Sequence, residues 1–149
     1  MYRIMTVEDY DQVFALWKSI KGFSMRSLDD SREGVAAYLK RNPRTSVVCE
    51  QDGRIIGAIL GGHDGRRGYL YHVCVAEGER RRGIGRKMVE FCLAALKKEG
   101  IKKVSLIAFT KNDTGNVFWQ QGHWTKRDDL FFYDFTLDHD NVVHINATE

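Results

Sequence analysis

The stretch from Tyr69 to Phe109 constrains the fold most. Tyr69–Val75 is rich in β-branched and aromatic residues and reads as a strand. From Gly83 the pattern changes. Ile84, Met88, Val89, Cys92 and Leu96 recur at helical spacing, with Lys87, Glu90, Lys97 and Lys98 on the opposite face, until Gly100 stops the helix. Lys103–Phe109 then reads as a strand again. A strand–helix–strand unit of this length predicts two parallel strands joined by a right-handed crossover. A sheet of hairpins alone is excluded.

The remaining segments surround that unit. Tyr2–Met5 is a short opening strand. Thr6 and Asp9 form an acidic variant of a helix capping box, and Val13, Leu16, Trp17 and Ile20 predict an amphipathic helix over 7–20. A second helix is expected over 30–41, with Val35, Ala36, Tyr38 and Leu39 inward, stopped by Asn42-Pro43. Ser46–Gln51 and Arg54–Gly61 flank Asp52-Gly53, a strong hairpin signal. A glycine-rich connection, 61–68, leads into the Tyr69 strand. Asn112–Gln121 reads as a short helix, 123–127 and 130–137 as closing strands, and 139–149 as a polar tail. The order is β-α-α-β-β-β-α-β-α-β-β. It implies an α+β fold, a mixed, mostly antiparallel sheet with helices on both faces. The length of 149 residues fits one domain, assigned to 1–138.

Composition narrows the function classes. Hydrophobic residues at 43% and charged residues at 29% describe an ordinary soluble domain. The net charge of +3 is too small to argue for nucleic acid. It is unevenly spread: seven Lys/Arg against two acids lie between Arg66 and Lys87, so that segment carries +5 and the rest −2. Cys49, Cys74 and Cys92 each sit in an apolar run and read as buried hydrophobes in a reducing compartment. The five histidines show no metal-ligand spacing. The opening residues lack the pattern of a signal peptide, and no apolar run approaches the ~20 residues of a membrane span. A cytoplasmic protein without membrane or nucleic-acid partners is expected.

The chemistry concentrates at Val73-Cys74-Val75-Ala76-Glu77-Gly78-Glu79-Arg80-Arg81-Arg82-Gly83-Ile84-Gly85-Arg86-Lys87. A strand ends, an Arg- and Gly-rich loop follows, and a long helix begins. The first turn of a helix presents unpaired N–H groups and the positive end of its dipole. Glycines 83 and 85 let a bulky anion approach the backbone. The segment is a phosphate or pyrophosphate site, or else a solvated basic turn. A Walker loop needs Lys-Ser/Thr after its last glycine, where this chain has Arg86-Lys87. A dinucleotide fingerprint needs a third glycine, where this chain has Met88.

Arg80-x-x-Gly83-x-Gly85 resembles the R/Q-x-x-G-x-G/A loop of the GNAT superfamily of N-acetyltransferases. Asn112-Asp113-Thr114-Gly115-Asn116-Val117-Phe118-Trp119-Gln120-Gln121-Gly122-His123-Trp124 is similar to the family's next helix, and the element order matches over about 2–137. The resemblance implies acetyl-CoA as co-substrate and a sheet splayed at its two parallel strands to form a V-shaped cleft. It implies that Val73 and Val75 offer backbone groups to the pantetheine arm. Arg80, Arg81, Arg82, Gly83, Gly85 and Arg86 would cradle the phosphates. Asn112 would bond the cofactor arm and Phe118 would line its slot. Homodimers are frequent in the family.

Trp119 departs from the family pattern. Many members carry there a tyrosine that protonates the leaving thiolate, and an indole N–H is no useful acid. Tyr133 is the substitute candidate, or simply a sheet residue beside Phe131, Phe132 and Phe135. His72, on the strand before the loop, is the candidate base for an arriving ammonium, or a hydrogen-bonded structural histidine. His63 and Asp64 are placed at the cleft mouth or in a solvated turn. Asp29, Asp30, Asp128 and Asp129 are candidates for attracting a cationic amine. Phe23 and Met25 would supply an apolar wall. The expected activity is acetyl transfer to a primary amine of a small molecule or peptide by direct attack. The alternative is a non-catalytic CoA-binding or sensor domain.

Overall fold

A computed structural model describes all 149 residues. Five strands form the main sheet: β1 (Tyr2–Ile4), β3 (Val47–Gln51), β4 (Arg54–His63), β5 (Gly68–Val75) and β6 (Val104–Ser105), in the order β1-β3-β4-β5-β6. A separate ribbon pairs β2 (Ser24–Arg26) with β7 (Val143–Ile145). The helices are α1 (Tyr10–Ser19), α2 (Arg32–Arg41), α3 (Ile84–Lys98) and α4 (Asp113–Gln121). No helix is long and apolar enough to cross a membrane.

The Asp52-Gly53 hairpin forms as expected. Both residues take left-handed φ, 53° and 76°, as a tight two-residue turn between twisted strands requires. The β5–α3–β6 unit gives the parallel pair. It is held by only two registered pairs, Gly68↔Val104 and Tyr69↔Ser105. Beyond Tyr69, β5 runs on to Val75 with a neighbour on the β4 side alone. The sheet therefore splays open toward the carboxyl ends of its parallel strands, where open sheets place ligands.

Two cores cover the two faces. α1 and α2 pack Val13, Trp17, Val35 and Leu39 with Met5 and Val48. On the other face α3 packs Met88, Cys92 and Leu96 against Val47, Ile59 and Leu70. Each fully buried large side chain contributes about 1.5–3 kcal/mol. Close approach between layers makes Gly61 necessary: a Cβ there would lie 2.4 Å from the Thr45 carbonyl oxygen. Gly61→Ala is expected to cost about 1–3 kcal/mol through overpacking, read as a lower urea midpoint.

Three expectations change. The strand over 103–109 shortens to β6, because residues 106–108 find no backbone partner. The closing strands over 123–127 and 130–137 do not form, since the backbone from Thr125 to Leu137 makes no backbone hydrogen bond. The segment 139–149, read as a polar tail, is docked. Its Val143–Ile145 pairs with β2, and the Asn146 side chain donates to the carbonyls of Trp17 and Ile20, both at 2.8 Å. Those carbonyls, at and just past the end of α1, otherwise accept only the longer turn bonds from Ile20 N and Phe23 N, 3.2 and 3.3 Å, and the amide gives each a second donor.

Candidate active site

The basic loop is built as an anion cradle. Gly83 stands at the N-cap of α3 with φ 76°, and no side chain caps the helix. The amides of Ile84, Gly85 and Arg86 are thus free to bind an external acceptor. No acidic side chain occupies the first turn. Arg81, also left-handed at φ 66°, and Arg86 are exposed and free of ion pairs in the chain. Arg80 and Arg82 are engaged. Arg80 Nε donates to the Val75 carbonyl at 3.3 Å, and Arg82 pairs with Glu79. The strand end and the loop acid each draw in one guanidinium, which leaves Arg81 and Arg86 as the free cations of the original four.

The two motif segments meet. A Cβ on Gly85 would lie 3.3 Å from Phe118 Cε1 and 3.7 Å from Val75 Cγ2, so α3, α4 and the end of β5 converge there. Glycine keeps that junction open. Asn112 caps α4 through Oδ1, which accepts from Gly115 N at 3.0 Å. Its Nδ2 makes no hydrogen bond within the chain and remains a donor. Val73 and Val75 lie with the α3-side core, and the backbone edge of β5 beside them faces the cleft. Trp119 is half-buried, 4.9 Å from Phe118 and 5.1 Å from Trp124 between ring centroids, which makes it a packing residue.

His72 lies at a defect in β5. Its φ is 52°, and the β4–β5 register shifts between Ala58 and Leu60. Consecutive residues of a regular strand face opposite sides. Here Tyr71 meets Tyr38 of α2 while His72 meets Trp17 and Phe23, all on the same side of the sheet. A β-bulge supplies the extra residue that turns His72 to this face. Holding a histidine left-handed costs on the order of 1–3 kcal/mol, the kind of strain found at functional sites.

The ring is fixed on three sides. Trp17 and Phe23 stand 4.8 and 4.9 Å away between centroids, and Nε2 lies 2.8 Å from Asp30 Oδ1. Asp30 is only 5% exposed. Its Oδ2 accepts from Arg26 N at 2.7 Å, and its carbonyl accepts from the Tyr10 hydroxyl at 2.6 Å. A carboxylate on Nε2 keeps the proton there and leaves Nδ1 with its lone pair. Nδ1 makes no hydrogen bond within the chain. Nothing local in the sequence marks Asp30 as the partner; the two residues are 42 apart.

Other candidates stand elsewhere. His63 pairs in register with Gly68, at the amino end of β5 and away from the cleft. Its ring bonds Glu99 at 2.8 Å and Gly65 N at 2.9 Å, while Asp64 accepts from Arg66 N and Arg67 N, so both shape the turn. Asp30 is consumed by His72. Asp128 and Asp129 pair with Lys126 and Arg127. Asp29 is bonded by Asn141 Nδ2 at 2.8 Å. Tyr133 is exposed, makes no hydrogen bond and stacks on no ring. Nothing in the chain holds it at the cleft, because the strand meant to carry it is not formed. All three cysteines are buried, and burial pushes the thiols of Cys74 and Cys92 up to about 12. Neither supplies a thiolate near neutral pH.

Comparison with known proteins finds a family and several similar folds. The model of the acetyltransferase (GNAT) family matches residues 10–123. An acetyltransferase of Pectobacterium atrosepticum is 30% identical over 111 residues, 74% of this chain and 77% of its own. An acetyltransferase of Sodalis glossinidius is 26% identical over 128 residues, 86% of this chain and 89% of its own. Among solved structures, the PaiA N-acetyltransferase of Thermoplasma acidophilum in complex with coenzyme A has a TM-score of 0.73. It is 15% identical, covering 99% of this chain and 98% of its own. An aminoglycoside acetyltransferase from a soil metagenomic sample, in complex with sisomicin, has a TM-score of 0.70. It is 18% identical, covering 93% of this chain and 96% of its own. At these identities the solved structures speak for the fold.

Proposed function

Since the chain belongs to the GNAT acetyltransferase family, we propose that it moves the acetyl group of acetyl-CoA to a primary amine of a small molecule or peptide, by direct attack in a ternary complex. The observation that carries this reading is the placement of a bulged, Asp30-bonded His72 on the strand that ends in the anion loop.

The residues divide the work. The free amides at the start of α3, with Arg81 and Arg86, would hold the phosphates of the co-substrate. Asn112 Nδ2 and the cleft-facing edge of β5 would align its arm. A backbone N–H on that edge would polarise the thioester carbonyl. The acceptor approaches from the α1–α2 side, past Tyr71 and Phe23. His72 Nδ1 takes one proton from its ammonium, directly or through one water. The amine nitrogen then bonds the acetyl carbon, the carbon–sulfur bond breaks, and the second proton shed by the nitrogen passes through water to the departing thiolate, leaving a neutral amide and the free thiol. Proximity and orientation supply much of the acceleration. Direct attack needs no covalent enzyme intermediate, which suits a chain in which burial holds the Cys74 and Cys92 thiols protonated. The enzyme is proposed to work as a cytoplasmic homodimer.

The test is thiol release from acetyl-CoA against a panel of small amines, polyamines, aminoglycosides and peptides. Stoichiometric thiol and N-acetylated product on at least one of them is expected. CoA binding without turnover on any of them would favour the sensor alternative.

A further inference from the structure

The net charge of +3 conceals a strongly basic pole. At the amino end of β5 the fold gathers residues 40–44, 63–68 and 97–103 around Glu99. The Glu99 carboxylate bonds the His63 ring at 2.8 Å and pairs with Arg44 at 3.5 Å. His63 N donates to Asn42 Oδ1 at 2.9 Å, and Gly68 N donates to the Lys103 carbonyl at 2.9 Å. Lys40 and Arg41 lie in the last turn of α2, Lys97 and Lys98 in that of α3. Arg66 and Arg67 occupy the β4–β5 turn, and Lys102 and Lys103 precede β6. With Arg44 that makes nine cations against two acids, Asp64 and Glu99. The pole carries +7 and the rest of the chain −4.

The chain does not use this charge internally. All nine side chains are exposed, and only Arg44 has an ion-pair partner. Asp64 is occupied by the amides of Arg66 and Arg67, both at 2.8 Å. Four of the cations answer the negative ends of two helix dipoles, but two such ends amount to about one charge. Roughly six positive charges stay uncompensated, and like charges held together repel. No large apolar side chain is exposed in the three segments. A membrane surface would call for an apolar anchor beside the basic residues, and a protein partner for an apolar or aromatic centre. A row of phosphates needs only charge and donors. Four of the nine cations are arginines, whose planar fork fits phosphate oxygens.

We propose that this pole docks on the phosphate backbone of duplex nucleic acid, without regard to sequence. A duplex carries one negative charge per about 1.7 Å, spread over two strands. The pole offers cations in both helix layers, from α2 on one face of the sheet and α3 on the other. Base edges go unread: Asn42, the one side-chain amide in the three segments, is 4% exposed and held by His63. Contacts to phosphate position a protein on a duplex and carry no sequence information. The pole is distinct from the anion cradle. The cradle stands at the start of α3 and the pole at its end, 15 residues or about 22 Å away. Both can be filled at once, so the docked chain keeps its hold on CoA. The proposal is independent of the acetyl-transfer reading.

The experiment is fluorescence anisotropy of a labelled DNA duplex of about 20 base pairs, titrated with the full chain from about 50 to 200 mM salt. Expected is a Kd of about 10⁻⁶–10⁻⁴ M at physiological salt, the same for two unrelated sequences. The slope of log Kobs against log salt should lie near −5, the counterion release of roughly six neutralised phosphates. Saturating CoA should leave duplex binding unchanged. Arg66→Glu/Arg67→Glu should weaken it at least about tenfold and flatten the slope by about 2, with CoA affinity kept. If that variant fails to fold, Lys102→Glu/Lys103→Glu takes its place. No binding at about 50 mM salt, binding unmoved by both double substitutions, or displacement of the duplex by CoA overturns the proposal. So does sedimentation with phosphatidylserine vesicles without binding to the duplex, which would give the pole to a membrane surface.

Discussion

Gly83→Glu is expected to weaken CoA binding at least 100-fold by isothermal titration, about 2.7 kcal/mol. Three effects add. The new carboxylate occupies the uncapped start of α3, where free amides and the helix dipole favour an anion. It neutralises the field of Arg81 and Arg86. It also satisfies amides that would otherwise be reserved for phosphate. The fold should survive, because a Cβ at Gly83 meets nothing within 4 Å. The left-handed backbone, φ 76°, adds a cost of about 1–2 kcal/mol, read as a drop of several degrees in Tm. Gly83→Asn is the control: it tolerates the same φ, brings no charge, and should keep affinity within about tenfold, roughly 1.4 kcal/mol. Full-strength CoA binding by the glutamate variant would remove the loop from the site.

Loss of the His72 imidazole should lower kcat/KM by about 10²–10⁴-fold, the usual worth of a positioned base. Asp30→Asn separates positioning from packing. Arg26 N–H requires an acceptor at 2.7 Å, so the asparagine oxygen must face it and the amide nitrogen must face His72 Nε2. That forces Nε2 to accept and moves the ring proton to Nδ1, the nitrogen meant to take a proton. A fall in kcat of at least tenfold, with KM for acetyl-CoA unchanged, is expected. Asp30→Glu should restore part of the activity if the contact sets the tautomer. Equal loss in both variants, with KM shifted alike, would reduce Asp30 to a fold residue.

Much of the cofactor half was legible because its signals are local. Gly83 and Gly85 sit within three residues of each other, the Asp52-Gly53 turn is a dipeptide, and α3 carries its own periodicity. The acceptor half was less legible because it depends on contacts between distant residues. A bulge shifts register by one residue and leaves no mark in composition, so the face of His72 had to come from the β4–β5 pairing. Asp30 is a candidate for attracting a cationic amine in the sequence, and burial with two side-chain hydrogen bonds claims it for His72 and Arg26 instead. Residues 130–137 have the composition of a strand, but strand composition supplies no neighbour, and within one chain none is found. The last residues read as polar because Asn146 is polar; its value lies in the carbonyls it closes.

That last contact has a consequence for how the enzyme can change. Trp17 and Phe23, which flank His72, are tied to the far end of the chain: Asn146 donates from its side chain to the Trp17 carbonyl and from its backbone to the Phe23 carbonyl. The phosphate loop and the α4 slot come from one uninterrupted stretch, Val73 to Gly122. The surroundings of His72 on the α1 side are assembled from residues 17–30 and braced by Asn146. Changes at Asn146 are therefore expected to shift the surroundings of His72 while leaving the Val73–Gly122 stretch in place.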